Sequence, residues 1–332
     1  MKNIKIENKE IGFGKPSLII AEVGVNHNGS LKRGFELIDA AKLAGVDIVK
    51  FQTYKAKQIV TKNAPRYWND NLNDDAGGTQ YDTFSKLDSL TIEDYKKLKS
   101  YCNKQKIIFC STPFNIPDVD LLEKVGVAVY KISSSDITYL PLIEKIARTQ
   151  KPIILSTGCA SLSEIAIAVN EIHRNKNFQI VLQHCILQYP CDDENANLVK
   201  MQKIQNFFPE IPVGYSDHTI GITIPIASVA MGAMSVEKHF TIDKKLPNSP
   251  DHKLSVDTKE LKLMVDSIRQ VEKSKGTFVD GYYPSEKKAY DFARKSLVAN
   301  QDIAKDETIT DNMLTAKRPG IGISPDQAKF FI

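Results

Sequence analysis

Two histidines in the sequence sit directly after short apolar runs, His218 in VGYSDHT and His239 in VEKHFT. A pair of neutral imidazoles so placed can hold a Zn²⁺ or Mn²⁺ and still leave positions for substrate oxygens. The acidic neighbours Asp217 and Glu237 strengthen that reading; the alternative is that each ring merely serves its loop as a hydrogen-bond partner. Lys50 in DIVKF and Lys131 in YKIS also interrupt apolar runs. A lysine there is costly unless it meets an anion or forms a Schiff base. With the hydroxyls of Thr112, Ser134 and Ser156, the two lysines read as a cradle for phosphate and carboxylate. The Schiff-base reading ranks lower, because a metal pair and an imine lysine are alternative ways to polarise a carbonyl. Glu22 is alone among apolar residues in LIIAEV. Burial should raise its pKa and suit it to proton transfer, and a salt bridge to Lys50 or Lys131 can coexist with that role.

The elements that must position these groups alternate along the chain. Strand patterns fall at 18–23, 47–51, 107–110, 128–133, 152–156, 179–185, 212–216 and 234–240, after a possible hairpin over 3–16. Helical periodicity fills 30–44, 91–105, 116–125, 139–148, 161–174, 197–207, 223–232 and 258–273. Ser30 and Thr91 are candidate N-caps, Pro141 suits a first turn, and Gly45 and Gly126 follow helix ends. The count and order predict an α/β fold, a (β/α)8 TIM barrel over residues 1–273, with functional groups at the C-terminal strand ends. An open doubly wound sheet is the structural rival. The polar loop 53–84, which holds Trp68, has the length of a lid or binding loop. Residues 274–286 read as a linker, and 287–332 as a small module of short strands and turns.

Bulk properties narrow the class. Hydrophobic content of 42% and charged content of 25% exclude a disordered chain. A net charge of +4 spread along the chain is too weak for nucleic acid but suits an anionic small substrate. A polar N-terminus and the lack of a long apolar run predict a cytoplasmic protein with no membrane partner. Five cysteines without a CxxC pair predict free thiols.

The ordered motifs IIAEVGVNHNGS, VKFQTY, STPF, YKISSSD, ILSTG, YP…ANL, GYSDHT and EKHFT resemble the sialic-acid synthase family. That family includes N-acetylneuraminate, legionaminate and pseudaminate synthases. The tail RKSLVANQDIAKDETITDNMLTAKRPGIGI is similar to the family's SAF, or antifreeze-like, domain. The resemblance implies a transferase that condenses phosphoenolpyruvate with an N-acetylated amino sugar, N-acetylmannosamine or a 2,4-diacetamido-trideoxyhexose. The product is a nine-carbon 2-keto acid and phosphate. It implies His218 and His239 as ligands of Mn²⁺, with Mg²⁺ or Co²⁺ as alternatives, and Glu22 and Asp136 as catalytic carboxylates. By the same matching, Lys50, Thr112, Lys131, Ser134 and Ser156 hold phosphoenolpyruvate. Gln52, Tyr189 and Asp251 line the sugar side, and a domain-swapped homodimer brings Phe292 and Arg318 to the partner's site. Asp136 stands where several members have glutamate. Leu187 replaces a small polar residue and hints at a less hydroxylated sugar. The chain stops at Ile332, sooner than the resembling tails, so an incomplete SAF module is expected. Two other readings are a synthase of shorter keto-sugar acids from another aldose and a non-catalytic ice-binding protein. The first should lack the tail, and the second should have a degraded barrel mouth.

Overall fold

The computed structural model describes residues 3–72 and 77–330, and the chain divides into two compact units, Met1–Lys275 and Gly276–Ile332. The first opens with a hairpin of β1 (Ile4–Ile6) and β2 (Lys9–Ile11). The strands β3 (Leu18–Gly24), β4 (Ile48–Thr53), β5 (Ile108–Pro113) and β6 (Tyr130–Ile132) follow. After them come β7 (Ile153–Ser156), β8 (Ile180–Cys185), β9 (Val213–Asp217) and β10 (Ser235–His239). From β3 to β10 they pair in sequence order, all parallel, and β10 returns to β3 to close a barrel. Every residue of β3 is buried, as expected where side chains fill the inside and helices cover the outside.

The eight long helices lie within two residues of the ranges read from the sequence. Ser30 accepts from the Arg33 N–H, Thr91 and Asp94 close a reciprocal capping box, and Gly45 and Gly126 end their helices with φ of 86° and 81°, the left-handed region that suits glycine. Each helix buries one stripe against the strands. The helix Leu162–Arg174 turns Ile165, Ala168, Val169 and Ile172 inward, and each large aliphatic chain so buried contributes roughly 1.5–3 kcal/mol of transfer free energy.

Ile4, Ile6 and Ile11 of the hairpin pack with Leu18, Ile48 and Ile108 at the beginnings of barrel strands, so the N-terminal end of the barrel is covered. At the opposite end the long polar loop is partly ordered by short helices, Ala56–Ile59 and Gln80–Ser85. Its Trp68 and Leu72 pack on Leu254, with Phe84 and Tyr189 against them. Among the described residues no helix is long and apolar enough to cross a membrane.

The last barrel helix runs to Lys275, so it takes the first two residues of the expected linker. The second unit contains a short helix, Lys287–Ala293, which the sequence reading did not anticipate; a Lys287–Asp291 pair one turn apart supports it. The antiparallel strands β11 (Ser296–Ala299) and β12 (Leu314–Lys317) follow, in keeping with the expected small β module.

Candidate active site

Parallel pairing sets Glu22 of β3 beside Lys50 of β4 and beside His239 of β10. The register thus gathers ionisable groups at one rim of the barrel. A pocket of about 40 Å³ lies among Glu22, Lys50, Thr112, Lys131, Ser156 and Glu237, all of them buried. The Lys50 ammonium is 2.8 Å from Glu22 Oε2 and 3.4 Å from Glu237 Oε1, and donates to Thr112 Oγ1 at 3.1 Å. Lys131 donates to Ser156 Oγ at 2.5 Å and lies 3.8 Å from the same Glu237 oxygen. Ser134 also lines the pocket, its Oγ accepting the Gly158 N–H at 2.9 Å.

Burial sets the proton affinities. It lifts Glu22 to about 7, with Lys50 opposing and Glu237 adding to the rise. Burial alone would depress Lys50, but Glu22 and Glu237 together hold it above the usual lysine value. Lys131 is depressed by burial, Glu237 only partly compensating. One lysine is therefore firmly cationic and the other is under-compensated, a setting that favours the arrival of an anion.

The imidazoles of His218 and His239 converge, with ring centroids 5.4 Å apart. His218 Nδ1 lies 2.6 Å from the Ile186 carbonyl oxygen; that bond requires the proton on Nδ1, so the neutral ring keeps its lone pair on Nε2. Burial opposes protonation of this ring, but Cys185 and the Ile186 carbonyl outweigh it and raise its pKa above the ordinary histidine value. His239 Nδ1 is buried without a hydrogen-bond partner, and Asp251 Oδ2, at 3.6 Å, is too distant to serve. Burial and the neighbouring cations hold His239 well below the ordinary histidine value. One ring fixed in a ligating tautomer and one orphaned ring nitrogen fit a divalent cation. Among the described residues no set of three His, Cys, Asp or Glu side chains is placed to hold one; a cation here would have the two ring nitrogens as its protein ligands.

A larger cavity of about 470 Å³ adjoins this pocket and shares Gln52, Phe114, Ser133, Leu187, Tyr189 and His239 with it. Asp136 and Asp251 line this second space. Gln52 also steadies Glu22, donating to its Oε1 at 2.9 Å, and the Tyr189 ring lies 4.0 Å from that of His218. Trp68, Leu72, Phe84 and Phe114 give the cavity an apolar wall.

The structure thus brings together twelve of the fourteen residues singled out from the sequence: Glu22, Lys50, Gln52, Thr112, Lys131, Ser134, Asp136, Ser156, Tyr189, His218, His239 and Asp251. Asp136 does not line the anion pocket itself but the larger cavity, where its Oδ2 has no hydrogen-bond partner and burial raises it to about 7. Phe292 and Arg318 are exposed residues of the second unit. One expectation about acidic neighbours needs correction. Asp217 is not a companion of the histidines in the pocket but pairs with Lys238 at 2.5 Å, and neither lines either cavity. Glu237 lines the pocket with the histidines, as expected, and also faces the two lysines, a contact that the sequence reading missed. Alternation along the strand signals its face, but not its partners.

Comparison with known proteins identifies the family. The NeuB family pattern matches residues 37–280. Over 323 residues the chain is 44% identical to the N,N'-diacetyllegionaminic acid synthase of Campylobacter jejuni, spanning 96% of this chain and 95% of that one. It is 38% identical to the protein of the same name from Legionella pneumophila, spanning 96% and 90%. The solved structure of the N-acetylneuraminic acid synthetase from Leptospira borgpetersenii aligns with a TM-score of 0.78 at 33% identity, covering 86% of this chain and 94% of that one. A truncated 3-deoxy-D-arabino-heptulosonate 7-phosphate synthase from Thermotoga maritima, 16% identical with a TM-score of 0.63, shares the barrel fold. With relatives named as synthases, an ice-binding protein is set aside; the match to the family pattern and these identities place the chain in the NeuB family.

Proposed function

We propose that this protein condenses phosphoenolpyruvate with a 2,4-diacetamido-trideoxyhexose, giving a nine-carbon 2-keto acid and phosphate. The observation that carries the reading is the junction of two spaces: a small lysine-and-hydroxyl pocket that opens, past His239 and Tyr189, onto a cavity of sugar size. The diacetamido sugar is preferred over N-acetylmannosamine on two grounds. Two relatives, 44% and 38% identical, are named for the diacetylated product, and Leu187 with the aromatic wall suits a sugar with fewer hydroxyls.

In this reading Lys50, Thr112, Lys131, Ser134 and Ser156 hold the phosphate and carboxylate of phosphoenolpyruvate. Gln52, Tyr189, Asp136 and Asp251 orient the sugar in the larger cavity. His218 and His239 would hold Mn²⁺, or Mg²⁺ or Co²⁺, which when bound polarises the aldehyde of the open-chain sugar. The CH₂ carbon of phosphoenolpyruvate forms the new bond to the aldehyde carbon as the carbonyl π bond breaks, and protonated Glu22 gives its proton to the resulting oxygen. Water adds to the former enol carbon, and phosphate leaves by C–O cleavage. Glu22, lifted to about 7 and held by Lys50 and Gln52, takes the proton that the water gives up. Juxtaposition of two bound substrates and neutralisation of the phosphate supply the remaining catalysis. The second unit is assigned as a short SAF module, with Arg318 and Phe292 reaching a second copy in a homodimer. Five free cysteines suit a cytoplasmic setting.

The test is phosphate release from phosphoenolpyruvate, with product mass, for each sugar with and without divalent cation. Release is expected only when cation and amino sugar are both present, and with the higher kcat/KM for the diacetamido sugar. Turnover that survives EDTA, or full activity in His218→Ala, contradicts the metal role; a preference for N-acetylmannosamine contradicts the sugar.

A further inference from the structure

Asp217 and Lys238 each immediately precede one of the two converging histidines. They are Cα partners across β9 and β10, and both side chains are fully excluded from solvent. Side chains alternate along a strand. With Ser216, His218, Glu237 and His239 lining the pocket, Asp217 and Lys238 therefore point to the other face of the sheet. An ion pair is a poor way to stabilise such a place: two apolar chains of the same volume would do as well or better. Its presence behind the site calls for another explanation.

The hydrogen bonds supply one. Lys238 Nζ donates to Asp217 Oδ2 at 2.5 Å and also to the Thr219 carbonyl. Thr219 in turn donates its N–H to Asp217 Oδ1 at 3.1 Å and its hydroxyl to the same oxygen at 2.9 Å. The residues before and after His218 are thus tied to each other, and both are tied to the residue before His239. Other contacts of His218 reach β8 and the loop after it, its carbonyl accepting the Cys191 N–H at 2.8 Å and its Nδ1 meeting the Ile186 carbonyl and Cys185 Sγ. The ammonium therefore adds a side-chain tie to the strand pairing that already joins the two backbones. A slip of β10 by two residues along β9 would keep the face but carry His239 away by about two strand rises, roughly 6.6 Å, and would break all of these bonds.

We propose that Asp217, Lys238 and Thr219 form a positioning clamp that fixes the His218–His239 separation required to hold a divalent cation. The clamp rests on the metal reading given above, and it touches neither substrate. Loosening it should spoil cation binding more than anion binding, because the pocket lysines come from β4 and β6 and meet β10 only through Glu237.

The experiment uses the full chain with Mn²⁺ alone as probe, free and bound ion being separated by electron paramagnetic resonance. Phosphoenolpyruvate binding is measured in parallel by calorimetry without metal. Asp217→Asn keeps the shape and removes the charge. Because a lone buried ammonium can unfold the protein, the double variant Asp217→Asn/Lys238→Met removes both charges together. Circular dichroism identifies the folded variants. Expected in a folded variant is a loss of Mn²⁺ affinity of about 10- to 100-fold, the usual effect of removing a group that orients a metal ligand. Phosphoenolpyruvate affinity should fall by no more than about threefold, since the clamp reaches the lysines only through Glu237. A folded double variant with wild-type Mn²⁺ affinity overturns the clamp and leaves the metal reading standing. Equal losses of both ligands mark a merely structural pair and also overturn it. A wild-type protein that binds no Mn²⁺ refutes the metal reading itself, and the clamp with it.

Discussion

His27 shows what a buried titratable group does to stability. It is almost fully enclosed, and its Nδ1 accepts the Gly29 N–H at 3.0 Å, which requires the neutral ring. Burial, with the nearby Arg33 charge and His252 adding, lowers its pKa from 6.5 to about 4. Below pH 6.5 the unfolded chain binds a proton that the folded chain refuses until about pH 4. The stability is therefore complete above the first value and lost as pH falls toward the second. That interval corresponds to about 3 kcal/mol at most. Chemical denaturation of His27→Gln at several pH values should give a flatter profile than wild type between those limits; parallel profiles would show that His27 is not the group. The chemistry-bearing residues were legible for the same reason that His27 is costly, since Glu22, Lys50 and Lys131 are polar groups in apolar strands. The approach of Glu237 to both lysines was not legible, because it depends on closing the barrel between β10, β4 and β6.

At the level of elements, periodicity and end signals located all eight barrel strands and the helices that follow them, because each helix and strand here agrees locally with its place in the fold. Facing was read less well. Asp217 was taken as a companion of the histidine beside it, whereas a pleated strand sends adjacent side chains to opposite sides. One loop-level feature can be tested directly. A Cβ at Gly158 would lie 2.9 Å from Ser134 Oγ and 3.2 Å from the Cys185 carbonyl oxygen, so this turn brings main chain against a pocket hydroxyl. Gly158→Ala should displace Ser134 and weaken phosphoenolpyruvate binding by about tenfold, the worth of one charge-assisted hydrogen bond. Thermal melting should change little. Unaltered phosphoenolpyruvate affinity in calorimetry would show that Ser134 is not among its ligands.

For the whole molecule, the division after Lys275 lies close to the boundary expected from composition, because the apolar periodicity of the barrel ends there. The internal build of the second unit was harder to read, since short strands with half-exposed residues carry little pattern. Arg318 follows β12 and is exposed. If a second copy of the chain uses it to hold the sugar, Arg318→Ala should raise the sugar KM by about tenfold or more while phosphoenolpyruvate KM holds, in line with loss of a charged hydrogen bond. An unchanged sugar KM, with a monomer in solution scattering, would end the shared-site proposal.

The isoleucines of the N-terminal hairpin have a kinetic consequence. They stopper one end of the barrel, and the anion pocket, lined by residues of the strands themselves, lies beneath a cavity lined largely by loops. On the proposed function, the phosphorylated substrate would reach its seat through the space that later holds the sugar. It should therefore be seated first, and inorganic phosphate should leave after the larger keto acid.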